Sequence, residues 1–370
     1  MKLFPVLYKR VFKPLAFALD PEFVHDNVVL LGRLLGKTAV GRLVTRTMFY
    51  FAHPALEQDI LGIRFPNPIG LSAGFDKDAE LTDIIPEVGF GFAEVGSITG
   101  EACLGNQKKR LWRLPQSKSL LVWYGLKNKG AEIISANLRK KSFAVPIGIS
   151  VAKTNCANTV DDTNGIMDYA KAFKLFQDIG SYTTVNISCP NAFGGQPFTE
   201  PTKLDALLDK LDTMPNSKPT FVKLSPDLSY DEVDQIIDVL DRHNVQGIIC
   251  SNLTKNRDNP KIVEKNLPEV GGFSGKVVSD LTDNLISHVY GKTQGKYILV
   301  GVGGVFSAED AYEKIKRGAS LIQLLTGMIY EGPQLIGEIN RGLVQLLKAD
   351  GYNNISQAVG VYNNLKINHD

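Results

Sequence analysis

Four cysteines in 370 residues, a net charge of only +2 and an absence of long apolar runs set the first limits on this chain. Cys103, Cys156, Cys189 and Cys250 stand far apart, with no C-x-x-C pair and no histidine at metal-ligand spacing, which excludes a disulfide framework and a zinc site. No segment reaches the roughly 18 apolar residues of a membrane span, and the N-terminus lacks an apolar run followed by a small-residue cleavage site. A reducing cytoplasm is the expected compartment. A nucleic-acid binder would need a strongly basic face, which the near-neutral balance does not provide.

What is present is an ordinary globular composition, 44% hydrophobic and 22% charged, in a chain long enough for one large domain with an appendage. From about residue 67, short β-rich apolar runs alternate with amphipathic stretches of helical period. The eight strand candidates are NPIGLSA, GFAEVGSIT, AVPIGISVA, YTTVNIS, TFVKLS, GIICSN, YILVGVGG and LIQLLTG. Helical patterns follow them, from DAELTDIIPEV to PQLIGEINRGLVQLLKADG. Eight such units predict a (β/α)₈ TIM barrel over 56–370, with its active site at the C-terminal ends of the strands. A doubly wound open sheet is the alternative architecture.

Residues 1–55 break this rhythm. LYKRVFKPLAFALD and PEFVHDNVVLLGRLLG read as two amphipathic helices, separated by a turn at Asp20-Pro21. Residues 1–50 carry eight basic side chains (Lys2, Lys9, Arg10, Lys13, Arg33, Lys37, Arg42, Arg46) against three acidic ones. Two readings stand side by side: a helical cap on the barrel, or a pair lying in a membrane interface.

The chemically unusual residues fall at strand tips. Ala73, Gly74 and Lys77 follow the first strand, Ser97 ends the second, and Ser150 and Lys153 belong to the third. Asn186, Cys189 and Asn191 follow the fourth, and Lys223 lies in the fifth. Ser251 and Asn252 end the sixth, while glycines around Gly304 and Thr326 end the seventh and eighth. Glycine-rich tips on the last two strands are where such barrels often bind phosphate. Lys223, in an apolar strand, is either a snorkelling surface lysine or the partner of an anion, for which the N1–C2=O edge of a reduced flavin would serve. Cys189 is either a packed thiol or a proton-transfer group beside a planar, amide-like ligand held by Asn186 and Asn191, as a pyrimidine would be.

The motifs LDPEFVHD, NPIGLSAGFDKDAE, GFGFAEVGSIT, KKRLWRLP, VNISCPN, VKLSPDLS, GGFSGK, GVGGVFSAEDAYEKIKRGASLIQLLTG and EGPQLI together resemble dihydroorotate dehydrogenase of the class 2, quinone-dependent branch over nearly the whole chain. The resemblance implies oxidation of dihydroorotate to orotate on FMN, with electrons passed to a membrane quinone through a tunnel under the N-terminal helices. It implies peripheral attachment to the cytoplasmic side of the membrane. FMN would be held by Ala73, Gly74, Lys77, Ser97, Ser150, Asn186, Lys223, Ser251, Gly275, Gly304 and Thr326, and the substrate by Lys77, Asn186, Asn191 and Asn252. Cys189 would be the base, and Arg110 would stand at the quinone tunnel.

The chain departs from the family pattern in several places. Cys189 is the class 1 base on a class 2 body. VWYGLKN puts Val122 where a substrate-binding asparagine is usual and Leu126 in place of phenylalanine. Leu253 replaces a substrate-contacting threonine, Ser150 a flavin-contacting asparagine, and Leu325 a tyrosine. An FMN enzyme acting on another dihydropyrimidine or a cyclic enone, or a silent membrane-docked flavoprotein, are the competing readings.

Overall fold

A computed structural model describes residues 3–363. Lys2, counted above among the basic charges, lies outside them, as do the extreme ends of both predicted units. Eight parallel strands close into a barrel in chain order: Ile69–Leu71, Phe92–Thr99, Ile147–Ala152, Tyr182–Asn186, Thr220–Leu224, Gly247–Cys250, Ile298–Val302 and Ala319–Leu324. These are the eight runs predicted from the sequence.

Nearly every residue of the eight strands is buried, because helices cover the outside while side chains fill the inside. Near the base, large rings are matched to glycines on neighbouring strands. A Cβ on Gly70 would stand 2.4 Å from the Phe92 ring, and one on Gly148 would stand 2.1 Å from Tyr182. Phe65, Phe92, Tyr182, Phe221, Ile249, Val300 and Leu321 form this closed layer. A hairpin of Gln58–Ile60 and Ile63–Phe65 adjoins it, contributing Ile60 and Phe65. The barrel is therefore a packed core with its opening at the other end.

The outer helices start on side-chain caps that the sequence encodes. Asp161 accepts from the Asn164 N–H, Ser229 and Glu232 form a capping box, and Ser307 caps Ala308–Lys316. One expected helix is nearly absent: of DAELTDIIPEV only Ile85–Val88 is helical. Upstream of it, the buried Asp76 carboxylate accepts from the N–H groups of Glu80 and Leu81 and ties that stretch into a turn.

Besides the hairpin, three further elements were not anticipated. A third N-terminal helix, Ala39–Phe49, follows Pro21–Lys37 and is capped by Thr38. The first helix contains a π-turn at Tyr8–Phe12, just ahead of Pro14, whose missing N–H disturbs the regular ladder. An antiparallel sheet of Leu111–Leu114, Ser119–Val122 and Gly272–Gly275 brings segments from two connections together near the barrel mouth.

Candidate functional site

Strand tips, loops and N-terminal helices enclose one cavity of about 810 Å³. Its deep end is lined by Ala73, Gly74, Ser97, Asn186, Lys223, Ser251, Gly275, Gly304 and Thr326, and its flank by Lys77, Cys189, Asn191 and Asn252. Of the residues singled out in the sequence, Ser150, Lys153 and Arg110 are not among the lining residues. Ser150 is fully buried, and its Oγ sits 2.7 Å from Ser97 Oγ, so it supports the wall from behind. Arg110 is spent elsewhere: its guanidinium meets Glu22 at 2.7 and 3.1 Å and donates to the carbonyls of Leu104 and Asn106. Arg113, two residues further along the strand from Leu111, lines the cavity instead.

The polar floor is a connected network. Asn186 Nδ2 donates to Ser97 Oγ at 2.8 Å, while its Oδ1 accepts from Ser188 and from Asn252 Nδ2 at 3.2 Å. Asn252 Nδ2 also reaches the Ser188 carbonyl at 2.9 Å. Asn191 donates to the Val122 carbonyl at 2.8 Å, but its own Oδ1 is buried without a partner. A buried acceptor left unpaired costs about 1–3 kcal/mol, so this atom marks where a ligand N–H fits.

Lys223 is buried at 5% exposure and makes no ion pair among the described residues. Burial depresses its pKa, while Glu94 below it and Cys189 nearby favour the charged form. The surface-lysine alternative is therefore ruled out, and an anionic ligand edge is the partner this ammonium lacks. At the opposite wall Gly74 holds φ +102°, and a Cβ there would point into open space. Gly275 and Gly304, at φ +83° and +73°, flank Thr326, whose hydroxyl lies 2.8 Å from Ser274 Oγ. The residues present thus fit a planar, partly anionic group with a phosphate tail.

Lys77 lies higher in the cavity. Its ammonium donates to His25 Nε2 at 2.8 Å and stands 4.2 Å from the centre of the Tyr124 ring. Burial, then repulsion from Lys127, pulls its pKa down to about 8. His25 is held neutral by burial and the same two lysines. Cys189 is pushed up by burial, with a backbone bond from Asn191 and the charges of Lys153 and Lys255 acting against that.

Above this floor the cavity turns apolar. Phe4, Tyr8, Phe17, Val28, Leu31, Leu35 and Phe49 line it from the N-terminal helices, facing Leu111, Leu120 and Val122 of the sheet at the mouth. Phe17 packs edge-on to Tyr330 at 5.3 Å and lies under the Arg113 guanidinium at 4.7 Å. Val122, Leu126, Leu253 and Leu325, the apolar departures noted in the sequence, are all lining residues. His25, Arg113 and Lys127 were missed as site residues, although His25 and Arg113 lie inside motifs already singled out, LDPEFVHD and KKRLWRLP.

A sequence profile for dihydroorotate dehydrogenase matches residues 55–347. The chain is 38% identical to the dihydroorotate dehydrogenase (quinone) of Nostoc punctiforme, over 96% of this chain and 98% of that one. It is 40% identical to the protein of the same name from Crocosphaera subtropica, covering 92% and 94%. Ligand-free DHODH from Eimeria tenella superimposes with a TM-score of 0.83 at 27% identity, covering 92% of this chain and 99% of that one. With its strand-tip site, its fold and these likenesses agreeing along the chain's length, the protein belongs to the dihydroorotate dehydrogenase family.

Proposed function

We propose that this protein oxidises dihydroorotate to orotate on FMN and delivers the electrons to a membrane quinone. The observation that carries this reading is the single cavity joining a polar floor, with Cys189, Asn191 and Lys223, to an apolar funnel among the N-terminal helices. A two-substrate redox reaction with one polar and one lipid-soluble partner needs both environments within reach of one cofactor.

FMN, when bound, accepts a hydride equivalent from the substrate and passes the electrons on to the quinone. The protein's own groups do the rest. Lys223 would set a positive charge against a ring edge that becomes anionic, and the glycines at 275 and 304 with Thr326 would receive the phosphate. The Asn191 carbonyl oxygen accepts a pyrimidine N–H. The Asn186–Asn252 network fixes the remaining amides in orientation, and Lys77 faces the substrate carboxylate. Cys189, as its thiolate, would take the proton from C5, forming an S–H bond.

Membrane attachment at the cytoplasmic side is part of this proposal. Leu15, Leu19, Phe23, Leu31, Val40 and Leu43 are exposed at 52% or more on the N-terminal helices. Among the described residues no helix is long and apolar enough to cross a membrane, so insertion of this face into the interface is the geometry available. Phe4 and Phe17 point inward instead, packing edge-on against Phe49 and Tyr330.

A second reading has one specific observation in its favour: Val122 and Leu253 line the cavity where polar contacts to orotate are usual, so a less polar dihydropyrimidine fits that wall. Anaerobic titration of the yellow protein with dihydroorotate, followed by addition of quinone, separates the two. Bleaching by dihydroorotate and recovery with quinone is the expected result. Flavin that stays oxidised with dihydroorotate but bleaches with an uncharged dihydropyrimidine would overturn the assignment.

A further inference from the structure

Beside Cys189, and sharing Leu126, Asn186 and Cys189 with the main cavity, lies a second, small one of about 10 Å³. Lys153, Tyr169, Asn186 and Cys189 line it, together with the apolar Phe198 and Leu126. The volume and the polar lining suit a single water, which needs about this much space and two or more polar partners.

Lys153 is unusual for its surroundings. It is 3% exposed, directly after the third barrel strand, and no carboxylate pairs with it among the described residues. Its Nζ donates to the Phe193 carbonyl at 2.7 Å, which pins the loop that carries Cys189 and Asn191. Asp168, whose charge acts on Lys153, is taken up by Thr154 and Gly100. The Tyr169 hydroxyl donates to the Asn186 carbonyl at 2.7 Å. The ammonium is thus left with one backbone acceptor, beside the small cavity that the thiol also lines.

Resting on Cys189 as the base, we propose that Lys153 is a positioning residue for proton transfer: its buried ammonium, through one water in this small cavity, favours the thiolate form of Cys189. In the step it assists, the C5–H bond of the substrate breaks and an S–H bond forms. The electron pair left at C5 becomes part of the C5=C6 double bond, and the C6 hydride goes to the oxidised flavin. The S–H proton then leaves through the water to solvent, and the ammonium keeps its three protons throughout. The groups facing the thiol are Lys153, Lys255 and Cys103, with Lys223 across the main cavity. Those facing Lys153 are Cys156, Cys189, Asp168 and Asp162. Among the described residues, Lys153 is the only ammonium that shares the small cavity with the thiol.

The test uses the FMN-loaded protein and reads the thiol directly. Iodoacetamide alkylation of Cys189, followed by peptide mass spectrometry from about pH 6 to about pH 10, gives the midpoint of thiolate formation. Lys153→Gln keeps a donor for the Phe193 carbonyl but removes the charge, and Lys153→Arg keeps both. The midpoint should rise by about one pH unit or more in Lys153→Gln, a tenfold loss of thiolate below it, and stay near the parent in Lys153→Arg. The pH profile of flavin reduction by substrate should shift with it. An unchanged midpoint in folded, yellow Lys153→Gln overturns the proposal. Should that variant not fold, Lys153→Met is read the same way, and an unchanged midpoint there overturns the proposal equally. The base assignment fails separately, if Cys189→Ala reduces its flavin as fast as the parent.

Discussion

Glu22 is the residue on which docking of the N-terminal helices turns. It lies in the first turn of Pro21–Lys37, and its carboxylate is fixed by Arg110 through two bonds of 2.7 and 3.1 Å. Side-chain exposure is 6% for Glu22 and 5% for Arg110, so this is a buried pair between the extension and the barrel. Removing one member of such a pair costs about 3–5 kcal/mol, because the other charge is stranded. Glu22→Ala should fall at the low end, since Arg110 keeps its bonds to the Leu104 and Asn106 carbonyls at 2.8 Å. About 3 kcal/mol is roughly a hundredfold in the equilibrium between docked and open helices.

The other ties are weaker. Lys9 meets Glu331 at 2.6 Å with half its side chain in solvent, and the Tyr8 hydroxyl donates to the Ile329 carbonyl at 2.7 Å. Glu22→Ala should therefore raise hydrogen exchange across the N-terminal helices by about two orders of magnitude while the barrel strands stay at parental rates. Quinone turnover should fall, and flavin reduction by dihydroorotate should remain. The pH dependence has a definite sign: Arg110 and its neighbours hold the Glu22 carboxyl below its ordinary value of 4.5, against the opposing push of burial. Its contribution is full above that value and is lost as pH falls through the lowered one. Parental exchange rates in Glu22→Ala would refute the buried pair as the anchor.

Lys77, with a pKa near 8, should lose its charge as pH rises past that value, so the KM for dihydroorotate should climb above about pH 8 and become flat in Lys77→Met. Val122→Asn with Leu253→Thr should tighten orotate about tenfold to a hundredfold, the 1.5–3 kcal/mol of one recovered bond to a charged group, read from the flavin spectral shift; no gain would mean that neighbouring groups already meet the ligand. Deleting residues 1–50 should abolish binding to anionic liposomes and quinone turnover while FMN is retained, and unaltered quinone turnover would make the helices a structural cap only.

The barrel could be read in advance because each strand is a short β-rich run that the outer helices bury on one side and the core on the other, as in TFVKLS and GIICSN. The tips were legible for a related reason: a lysine or a pair of amides at the end of an apolar run has no role in packing. The sheet at the mouth was not legible, since Leu111–Leu114 and Gly272–Gly275 lie some 160 residues apart in sequence and pair only through Ser119–Val122. Arg110 and Arg113 could not be told apart in KKRLWRLP, because which of the two finds a carboxylate depends on Glu22, a residue on another element. Ser150 retreats behind Ser97 for a similar reason: a serine is too short to pass its neighbour. Lys153 gave no signal beyond its place at a strand end.

The ring-and-glycine layer at the barrel base leaves the mouth free to vary. Phe92 against Gly70 and Tyr182 against Gly148 lock the strands together at the end away from the cavity, and none of these four residues lines it. Rigidity and chemistry are thus carried by different residues of the same strands: Tyr182 and Asn186 are four positions apart on one of them, one serving the closed layer and the other the polar floor. An engineer wishing to retarget this enzyme has a corresponding freedom. Exchanges at Val122, Cys189 or Leu253 alter what is bound without loosening what holds the barrel shut, so a library confined to these tips should return mostly folded proteins, whereas one that included Gly70 or Gly148 should not.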